Sequence, residues 1–553
     1  MVAQSQTQGT ADFPRVISNS GRRWALGFSL IVMLLTTIPY LLADQFTPPG
    51  WRFTGFLFAV EDGNSYIAKM LSGMAGALLF RSPYSAYPQS GVLAFLPYLL
   101  LGKLAAPPAA HEQLVAIFHI FRISAGCLAL LATYDFLAYY IKEEYLRRYG
   151  LALVALGGGL GWLLVVFGWS TWLGSLPLDF ISPESFGFLA LYGFPHLAMA
   201  RAALFWGLLA YLKAVQPGAE PGPQAVFLTG GCWLLAALFQ PLAALVMGAV
   251  IAAHCLVLGV RNLWLSRRAI IPDWIAWRRT LRFAMLCALI PAPFLLYNAI
   301  AFSQDPYLVA WTAQNLILSP PLPHYLLAYG LLLPFMWVGG RNLLRRQAHS
   351  GWLLVAWVCA APFLAYAPVN LQRRLVEGVW VAMIALACSS VRGTGKDGVS
   401  WRSFLIISAF VFPSTLFLLV GGVSTSLNAD TPVFRSAQET AVLEQLAARA
   451  APGSVVLASY ATANALPAWA PLRVLAGHGP ESVNLSSVQP RVENFYRDGA
   501  TDAERQALID EFRVAYVFYG PRERALGSWQ PAQAAYLQLF AEQGEYAVYQ
   551  VVH

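Results

Sequence analysis

The sequence predicts a polytopic α-helical membrane protein with a small extracytoplasmic α/β domain at its C-terminal end, and three observations carry this prediction. First, 58% of the 553 residues are hydrophobic and only 12% are charged, whereas soluble domains carry about 25% charged residues. Second, long apolar runs follow one another as far as residue 422. Third, charged residues become frequent from Asp430 onward, where no run is long enough to span a membrane. This composition excludes a purely soluble enzyme and a disordered chain.

About eleven apolar segments approach the roughly 17–25 residues that a transmembrane helix needs. The first, 24–42, follows Arg22-Arg23 and has no small-residue cleavage pattern after it, so we expect a retained helix. The others are predicted near 113–140, 150–168, 195–213, 225–239, 242–260, 283–302, 323–339, 352–367, 375–390 and 403–422. Two further segments, 62–80 and 91–105, are expected to be interfacial helices on the outer face, the second being short and interrupted by Pro97.

Basic residues give this arrangement an orientation. They cluster in alternate gaps between the predicted spans, whereas the gaps 169–194 and 303–322 contain no Lys or Arg. By the positive-inside rule, residues 1–23 are a cytoplasmic tail, 24–422 are the transmembrane domain with a first outer loop at 44–112, and 423–553 lie outside. The net charge of +8 is therefore mainly an orientation signal and not a sign of nucleic-acid binding.

The last part of the chain has the pattern of a small α/β domain. Helices are predicted at 435–450 and 502–512, and strands at 454–458, 514–519 and 546–551. Two segments, Gly477-His478-Gly479-Pro480-Glu481 and Tyr519-Gly520-Pro521-Arg522-Glu523, each follow a predicted strand. They are typical of tight turns, and the alternative is that they line a ligand cleft at the strand ends.

Polar residues at membrane depth are costly, so those that collect near one face suggest a site. Such residues lie in the predicted outer gaps or at their edges: Glu61, Asp62, Asn64, Tyr66, Lys69, Asp179, Glu184, His196, Asp305, His324, Gln372, Arg373, Arg374 and Glu377. The sharpest feature is Arg373-Arg374, because two arginines stand on the side that otherwise avoids positive charge. Phosphate capture by the planar guanidinium group is one explanation, and snorkelling to lipid headgroups is the other.

The remaining candidates also have structural alternatives. Asp62 could be the N-cap of a helix over 64–80. Asp179 and Glu184 have the flanking prolines of ordinary solvated loop acids, and His196 follows Pro195 at a predicted helix start, where a neutral ring bonded to the backbone is common. Arg201 could join a phosphate pocket or be buried with Glu184. All six cysteines lie in apolar runs, and no HxxxH spacing indicates a metal site.

The chain resembles the GT-C superfamily of integral-membrane glycosyltransferases. The resemblance rests on Glu61-Asp62-Gly63-Asn64-Ser65-Tyr66 with the interfacial helix after it, on the amphipathic segment around Pro97, and on the late outer loop 370–378. It covers most of residues 1–422. The sequence lacks a WWD-type motif in its tail, so peptide glycosylation is not supported, and it looks closer to members that use a sugar on a polyprenyl phosphate.

The resemblance implies a hexosyl- or pentosyltransferase of a bacterial-type inner or plasma membrane. Its partners would be membrane lipids, a lipid-linked sugar donor and an unidentified acceptor hydroxyl, with no nucleic acid. Asp62, or alternatively Glu61, would act as general base in an inverting displacement. The donor phosphate would meet Arg373, Arg374, Arg201 and Lys69, and the substrate would meet Asn64, Tyr66, Asp179, Glu184, His196, His324 and Gln372. No cofactor is expected, and the resemblance leaves a divalent metal ion open.

Two other classes of protein compete with this interpretation. A multi-pass transporter would be expected to show internal repeats and ionisable residues near the membrane midplane. The chain shows no repeat, although Gln240-Pro241 interrupts one apolar run. A non-catalytic envelope assembly protein would act through its outer tail, and the acids of the first outer loop would then be incidental.

Overall fold

The structure is a computed structural model that describes residues 18–268, 270–346, 348–391 and 398–552. The part up to Leu427 is helical and begins with α1 (Asn19–Gln45). A short strand, β1 (Trp51–Phe53), and two helices of the first outer loop, α2 (Val60–Met74) and α3 (Leu96–Gly102), follow it. The other helices of this part are α4 (Ala110–Tyr140), α5 (Glu144–Leu156), α6 (Gly161–Val166), α7 (Leu178–Ile181), α8 (Phe188–Gly193), α9 (Pro195–Ala214), α10 (Pro223–Phe239), α11 (Pro241–Arg267), α12 (Trp274–Ala288), α13 (Ala292–Gln304), α14 (Pro306–Gln314), α15 (Leu322–Tyr329), α16 (Leu333–Arg346), α17 (Ala348–Ala365), α18 (Val379–Cys388), α19 (Trp401–Ser408) and α20 (Pro413–Leu427).

Within the described residues, six helical stretches are long and apolar enough to cross a membrane. A seventh is reached if α12 and α13, which meet at a bend of 57°, count as one span. The predicted number of about eleven is therefore not confirmed, although each predicted span falls largely on helix. The difference arises because several apolar runs are short or broken. The run at 150–168, for example, is divided between α5 and α6 by Gly157-Gly158-Gly159, since glycine favours leaving the helix.

The first outer loop carries the two helices that the sequence led us to expect there. α2 begins at Val60, two residues earlier than the predicted 62–80, and ends at Met74. It packs closely on α3 because both helices have glycine at the contact. A Cβ on Gly73 would collide with the backbone of Leu99, and one on Gly102 would collide with the backbone of Met70. The close approach fixes the position of α2, whose first turn carries Glu61 and Asp62.

The C-terminal part is a five-stranded mixed sheet with helices around it. Its strands are β3 (Val455–Leu457), β4 (Arg473–Val474), β5 (Val514–Tyr519), β6 (Leu537–Gln543) and β7 (Tyr546–Val551), in the order β4-β3-β5-β7-β6. β4, β3 and β5 are parallel, and β5, β7 and β6 are antiparallel. The helices are α21 (Ala437–Arg449), α22 (Tyr460–Trp469), α23 (Leu485–Tyr496), α24 (Asp502–Phe512) and α25 (Pro521–Arg524), and β2 (Phe434–Ser436) precedes the sheet.

The predicted elements at 502–512, 514–519 and 546–551 are confirmed with the same bounds. Strand β6 was not predicted, because it lies at the edge of the sheet and most of its residues are partly or fully exposed. Its sequence therefore lacks the apolar character by which buried strands are found.

The C-terminal domain is docked on the first outer loop and shares a core with it. β1 pairs with β2 in antiparallel register, so that Trp51 lies opposite Ser436 and Phe53 opposite Phe434. α2 packs against α22. One buried apolar cluster contains side chains from both regions, among them Phe56, Ile67, Phe434, Leu466 and Val548. This docking brings the ends of β3 and β4 over the first turn of α2.

Candidate active site

Asp62 stands in the first turn of α2 and not at its N-cap. The N-cap residue is Ala59, which has a left-handed backbone (φ 47°, ψ 44°) and no side-chain capping bond. The interpretation of Asp62 as the N-cap of a helix over 64–80 is therefore wrong. Its carboxylate instead lies near the positive end of the helix dipole, which stabilises a negative charge.

The carboxylate of Asp62 is held by a residue of the C-terminal domain. Nε2 of His478 lies 3.2 Å from Oδ1 of Asp62, and the Asp62 side chain is 44% exposed. Partial burial raises the pKa of Asp62, but the hydrogen bond with His478 and the charges of His478, Arg374 and Lys69 outweigh it, so the pKa is lowered overall. An ionised, partly exposed carboxylate is the form that a general base requires.

Glu61 points to a different neighbour. Its Oε2 accepts a hydrogen bond of 3.0 Å from the hydroxyl of Tyr460, the residue that opens α22 just after β3. The charge of this carboxylate and the bond to it contribute, after burial, to a raised pKa of Tyr460. The charge of Arg374, in the late outer loop, contributes to the lowered pKa of Asp62.

Aromatic rings lie beside Asp62. The ring of Tyr66 stacks on that of Tyr98 with centroids 4.8 Å apart, and the hydroxyl of Tyr98 is 2.8 Å from Nδ1 of His196. Burial raises the pKa of both tyrosines well above the ordinary value, and the charge of Asp62 adds to the effect. His196 thus belongs to this group of residues. The described hydrogen-bond partner of its imidazole ring is the Tyr98 hydroxyl and not a backbone group.

Arg373 and Arg374 lie in a short 3-10 turn, Gln372–Val376, between α17 and α18. Nε of Arg374 is 3.4 Å from Oε1 of the buried Glu184, and the Arg374 side chain remains 33% exposed. In Arg373, Nη2 reaches the Ile181 carbonyl oxygen at 3.5 Å, while Nε is buried without a hydrogen-bond partner among the described residues. Among the described residues, Glu184 is thus the carboxylate that pairs with Arg374, whereas Arg373 contacts a carbonyl oxygen and keeps an unused donor.

Arg374 is close enough to Asp62 and Tyr66 to influence both electrostatically. The charge of Arg374 lowers the pKa of Asp62 and opposes the rise in the pKa of Tyr66. Burial lowers the pKa of Arg373, the charge of Glu184 opposes this, and the charge of Arg374 adds to it. A site that combines an acceptor-only carboxylate with nearby cations can hold an anionic group and take up a proton beside it.

Lys69 and Arg201, both predicted to bind phosphate, have buried carboxylate partners instead. Nζ of Lys69 lies 2.5 Å from Oε1 of Glu481 and also contacts the Ser65 hydroxyl, and its side chain is 1% exposed. Arg201 makes a two-point ion pair with Glu377, with distances of 2.5 and 3.1 Å. Because these charges are neutralised and shielded from solvent, the contacts argue against a direct phosphate role for either residue.

The other predicted substrate residues lie apart from this group or hold the structure together. Asn64 is fully buried and bonds to Asn464 of the C-terminal domain at 2.7 Å. Asp179 accepts from the amides of Gly159 and Gly161 and from the Ser414 hydroxyl. The His324 ring is 2.8 Å from the Trp172 carbonyl oxygen. The Gln372 amide is oriented to donate to the Ala367 carbonyl oxygen and to accept from the Ser319 amide.

The predicted site residues did not include Tyr98, Tyr460, His478 or Glu481, all of which contact predicted ones. Glu481 is buried, and burial raises its pKa. The charges of Lys69 and His478 and the bonds from Lys69 and Ser65 lower that pKa overall. The sequence did contain one signal, because Gly477-His478-Gly479-Pro480-Glu481 was identified as a turn that could line a cleft. Its position over α2 depends on a tertiary contact across about 400 residues, which no local pattern reveals.

Among the described residues, no group of three or more His, Cys, Asp or Glu could hold a metal ion.

Comparison with known proteins identifies the fold. No protein-family model and no curated protein matches the chain. Among solved structures, the oligosaccharyltransferase AglB from Archaeoglobus fulgidus, in complex with an inhibitory peptide and a dolichol-phosphate, has a TM-score of 0.52 at 14% identity, over 91% of this chain and 70% of that one. ArnT from Cupriavidus metallidurans has TM-scores of 0.50 at 11% identity with bound undecaprenyl phosphate and 0.51 at 12% in the apo state. Both ArnT matches cover 95% of this chain and 98% of ArnT.

The chain therefore shares its fold with AglB and ArnT, a likeness that the resemblance of its sequence to the GT-C superfamily predicts. At 11 to 14% identity the likeness concerns the fold, and the chemistry must be argued from the residues of the site itself.

Proposed function

We propose that this chain is a membrane glycosyltransferase that moves a hexose or pentose from a polyprenyl-phosphate donor to an acceptor hydroxyl. The observation that carries the proposal is the combination, at one site, of the ionised carboxylate of Asp62 with the incompletely paired arginines Arg373 and Arg374. The fold adds support, because AglB was solved with a dolichol-phosphate and ArnT with undecaprenyl phosphate.

The reaction is a single inverting displacement. The acceptor oxygen forms a bond to the anomeric carbon while the bond from that carbon to the phosphate oxygen breaks, and the electron pair of the broken bond leaves on the polyprenyl phosphate. Asp62 takes the proton of the acceptor hydroxyl. Arg373 and Arg374 stabilise the charge that develops on the departing phosphate. The reaction as proposed requires no organic cofactor.

We assign the donor phosphate to Arg373 and Arg374 and no longer to Lys69 or Arg201. A phosphate needs N–H donors that have no other partner, and among the described residues the Nε of Arg373 is such a donor. If Lys69 or Arg201 bound the phosphate instead, its buried carboxylate partner, Glu481 or Glu377, would lose its compensating charge. Breaking a buried ion pair in this way costs about 3–5 kcal/mol. Lys69 and Arg201 are thus supports of the site in this proposal.

We further propose that the site faces the extracytoplasmic side, with the N-terminus in the cytoplasm. The support is the positive-inside pattern: the predicted inner gaps hold basic clusters such as Arg147-Arg148 and Arg267-Arg268, whereas 169–194 and 303–322 have none. Glu184 lies in the first of these outer gaps and Ser319 in the second, and each contacts the turn that carries the arginines.

The proposed donor class is tested by lipid binding. Undecaprenyl phosphate added to the purified protein in detergent is expected to raise the midpoint of thermal unfolding, because a ligand of the folded state stabilises it by mass action. The matched probe is undecaprenol, which has the same chain without the phosphate and is expected to give a much smaller rise. Equal rises with the two lipids would show that the chain is bound through its hydrocarbon alone and would contradict a phosphate site.

A further inference from the structure

The turn that carries His478 is rigid. Oγ of Ser482 accepts hydrogen bonds from the amides of Gly477 and His478, at 3.0 and 3.1 Å, and donates to the Tyr84 carbonyl oxygen. A Cβ on Gly477 would approach the backbone of Ala463 to 2.5 Å, so glycine is needed for the turn to pack on α22. The position of the imidazole ring is therefore fixed by the C-terminal domain and by the first outer loop together.

Both ring nitrogens of His478 face carboxylates. Nε2 is 3.2 Å from Oδ1 of Asp62, Nδ1 is 3.5 Å from Oε1 of Glu481, and the side chain is only 5% exposed. An ionised carboxylate accepts hydrogen bonds and donates none, whereas a neutral imidazole has a single N–H. Nε2 is therefore the ring atom that donates to the ionised carboxylate of Asp62, while Nδ1 has no hydrogen-bond partner among the described residues.

Charged groups lie on both sides of the ring. Asp62 is on the Nε2 side, and Glu481, which is paired with Lys69, is on the Nδ1 side. The titratable and charged groups that face Asp62 or His478 are Glu61, Tyr66, Lys69, Tyr84, Tyr98, His196, Arg374, Tyr460 and Glu481. His478 is the group in direct contact with the Asp62 carboxylate.

We propose that His478 is a positioning residue for sugar transfer: from the C-terminal domain it holds the carboxylate of Asp62 ionised and in a fixed orientation, so that this domain completes the active site. The inference rests on the proposed function and extends it, because it gives the C-terminal domain a part in the reaction. Glu481, held by Lys69, Ser65 and Ser82, lies on the other side of the ring, with its Oε1 3.5 Å from Nδ1.

The predicted consequence is a change in pH dependence. Transfer requires ionised Asp62, so the rate falls on the acidic side as this carboxyl group becomes protonated. His478 contributes to the lowered pKa of Asp62. Its removal therefore raises that pKa and moves the acidic limb of kcat/KM to higher pH. Because the carboxylate is also less well oriented, kcat falls while the KM for the donor changes little.

The test compares three variants of the full-length protein, reconstituted in vesicles. The substrates are synthetic undecaprenyl-phosphate hexoses and pentoses, and the released undecaprenyl phosphate is measured. His478→Ala is expected to shift the acidic limb and to lower kcat several-fold. His478→Gln keeps an N–H donor without a positive charge, so it is expected to recover part of kcat while the limb stays shifted. If the Ala variant does not fold, the shift of the acidic limb in the Gln variant tests the inference instead.

His111→Gln is the matched control, because His111 lies at the same interface between the domains but contacts other residues. Its ring stacks on Trp469 at 3.6 Å, and its Nδ1 is 2.9 Å from the Ala468 carbonyl oxygen. A general weakening of the docking would affect this variant as well. The inference predicts that His111→Gln retains the acidic limb of the parent.

The outcomes separate the inference from the function on which it rests. If the parent transfers sugar and requires Asp62, but the limb of His478→Ala coincides with that of the parent, the positioning role is contradicted and the transferase remains. An equal shift in His111→Gln also overturns it, since the effect would then be structural. If the parent transfers no sugar, or does so without Asp62, the proposed function itself fails.

Discussion

Asp62→Ala is expected to lose sugar transfer by about 10²–10⁴-fold, the usual contribution of a general base, while the protein still folds and inserts. The side chain is 44% exposed and its described hydrogen-bond partner is His478, so its removal leaves no large buried cavity. Asp62→Asn is expected to be equally inactive, because it preserves the shape of the side chain but removes its negative charge and its ability to take a proton. The measurement is release of undecaprenyl phosphate from the donor panel, with thermal unfolding as the check on folding.

Glu61→Ala is the matched control for this experiment. Glu61 is the neighbouring acid in the same helical turn, but it is bonded to Tyr460 and lies on the exposed side. We expect this variant to keep most of the activity. If Glu61→Ala were inactive and Asp62→Ala active, Glu61 would be the base. If both variants retained activity, neither Glu61 nor Asp62 would be the general base, and the assignment of the base to the first outer loop would be wrong.

Arg373→Ala and Arg374→Ala are expected to weaken use of the donor, and the double variant more strongly. A hydrogen bond to a charged group contributes about 1.5–3 kcal/mol, which corresponds to roughly 10–100-fold in affinity. The KM for the donor should therefore rise and the thermal stabilisation by undecaprenyl phosphate should disappear. Arg373→Lys is expected to recover only part of the affinity, because an ammonium group lacks the planar fork that meets a phosphate at two points.

Arg148→Ala is a suitable control for nonspecific attraction to anionic lipid. Arg148 lies in a basic cluster at the predicted cytoplasmic surface and is paired with Glu144. Its removal is expected to leave donor use unchanged. If the Arg373 and Arg374 variants bind undecaprenyl phosphate as tightly as the parent, the pair is an anchor for lipid headgroups and the assignment of the phosphate site is contradicted.

The candidate site could be predicted from the sequence only where a residue remains incompletely paired. Asp62 and Arg373-Arg374 were found as polar groups in an apolar setting, and both keep exposed or unpaired atoms in the structure. Lys69 and Arg201 gave the same signal in the sequence. Their partners, Glu481 and Glu377, are separated from them by 412 and 176 residues, and a linear pattern cannot distinguish a buried ion pair from an open binding group.

The fold was predictable where local physics determines it. Apolar runs identified the helices of the membrane domain, and residues 502–519 were divided correctly into α24 and β5. The number of crossings was not predictable, because breaks at Pro291 and at Gly157-Gly158-Gly159 divide runs that hydropathy treats as continuous. The docking of the C-terminal domain was also missed. It rests on pairs such as Asn64 with Asn464, whose side chains are ordinary polar residues in isolation.

The central claim is that Asp62 and the arginine pair act on one polyprenyl-phosphate donor in a single displacement. The most direct measurement is the anomeric configuration of the product formed by the reconstituted protein from a donor of defined configuration, with membrane glycolipids and water as acceptors. The mechanism predicts an inverted linkage, with one undecaprenyl phosphate released for each sugar moved. Retention of configuration, or equal transfer from a nucleotide sugar that has no lipid, would contradict it.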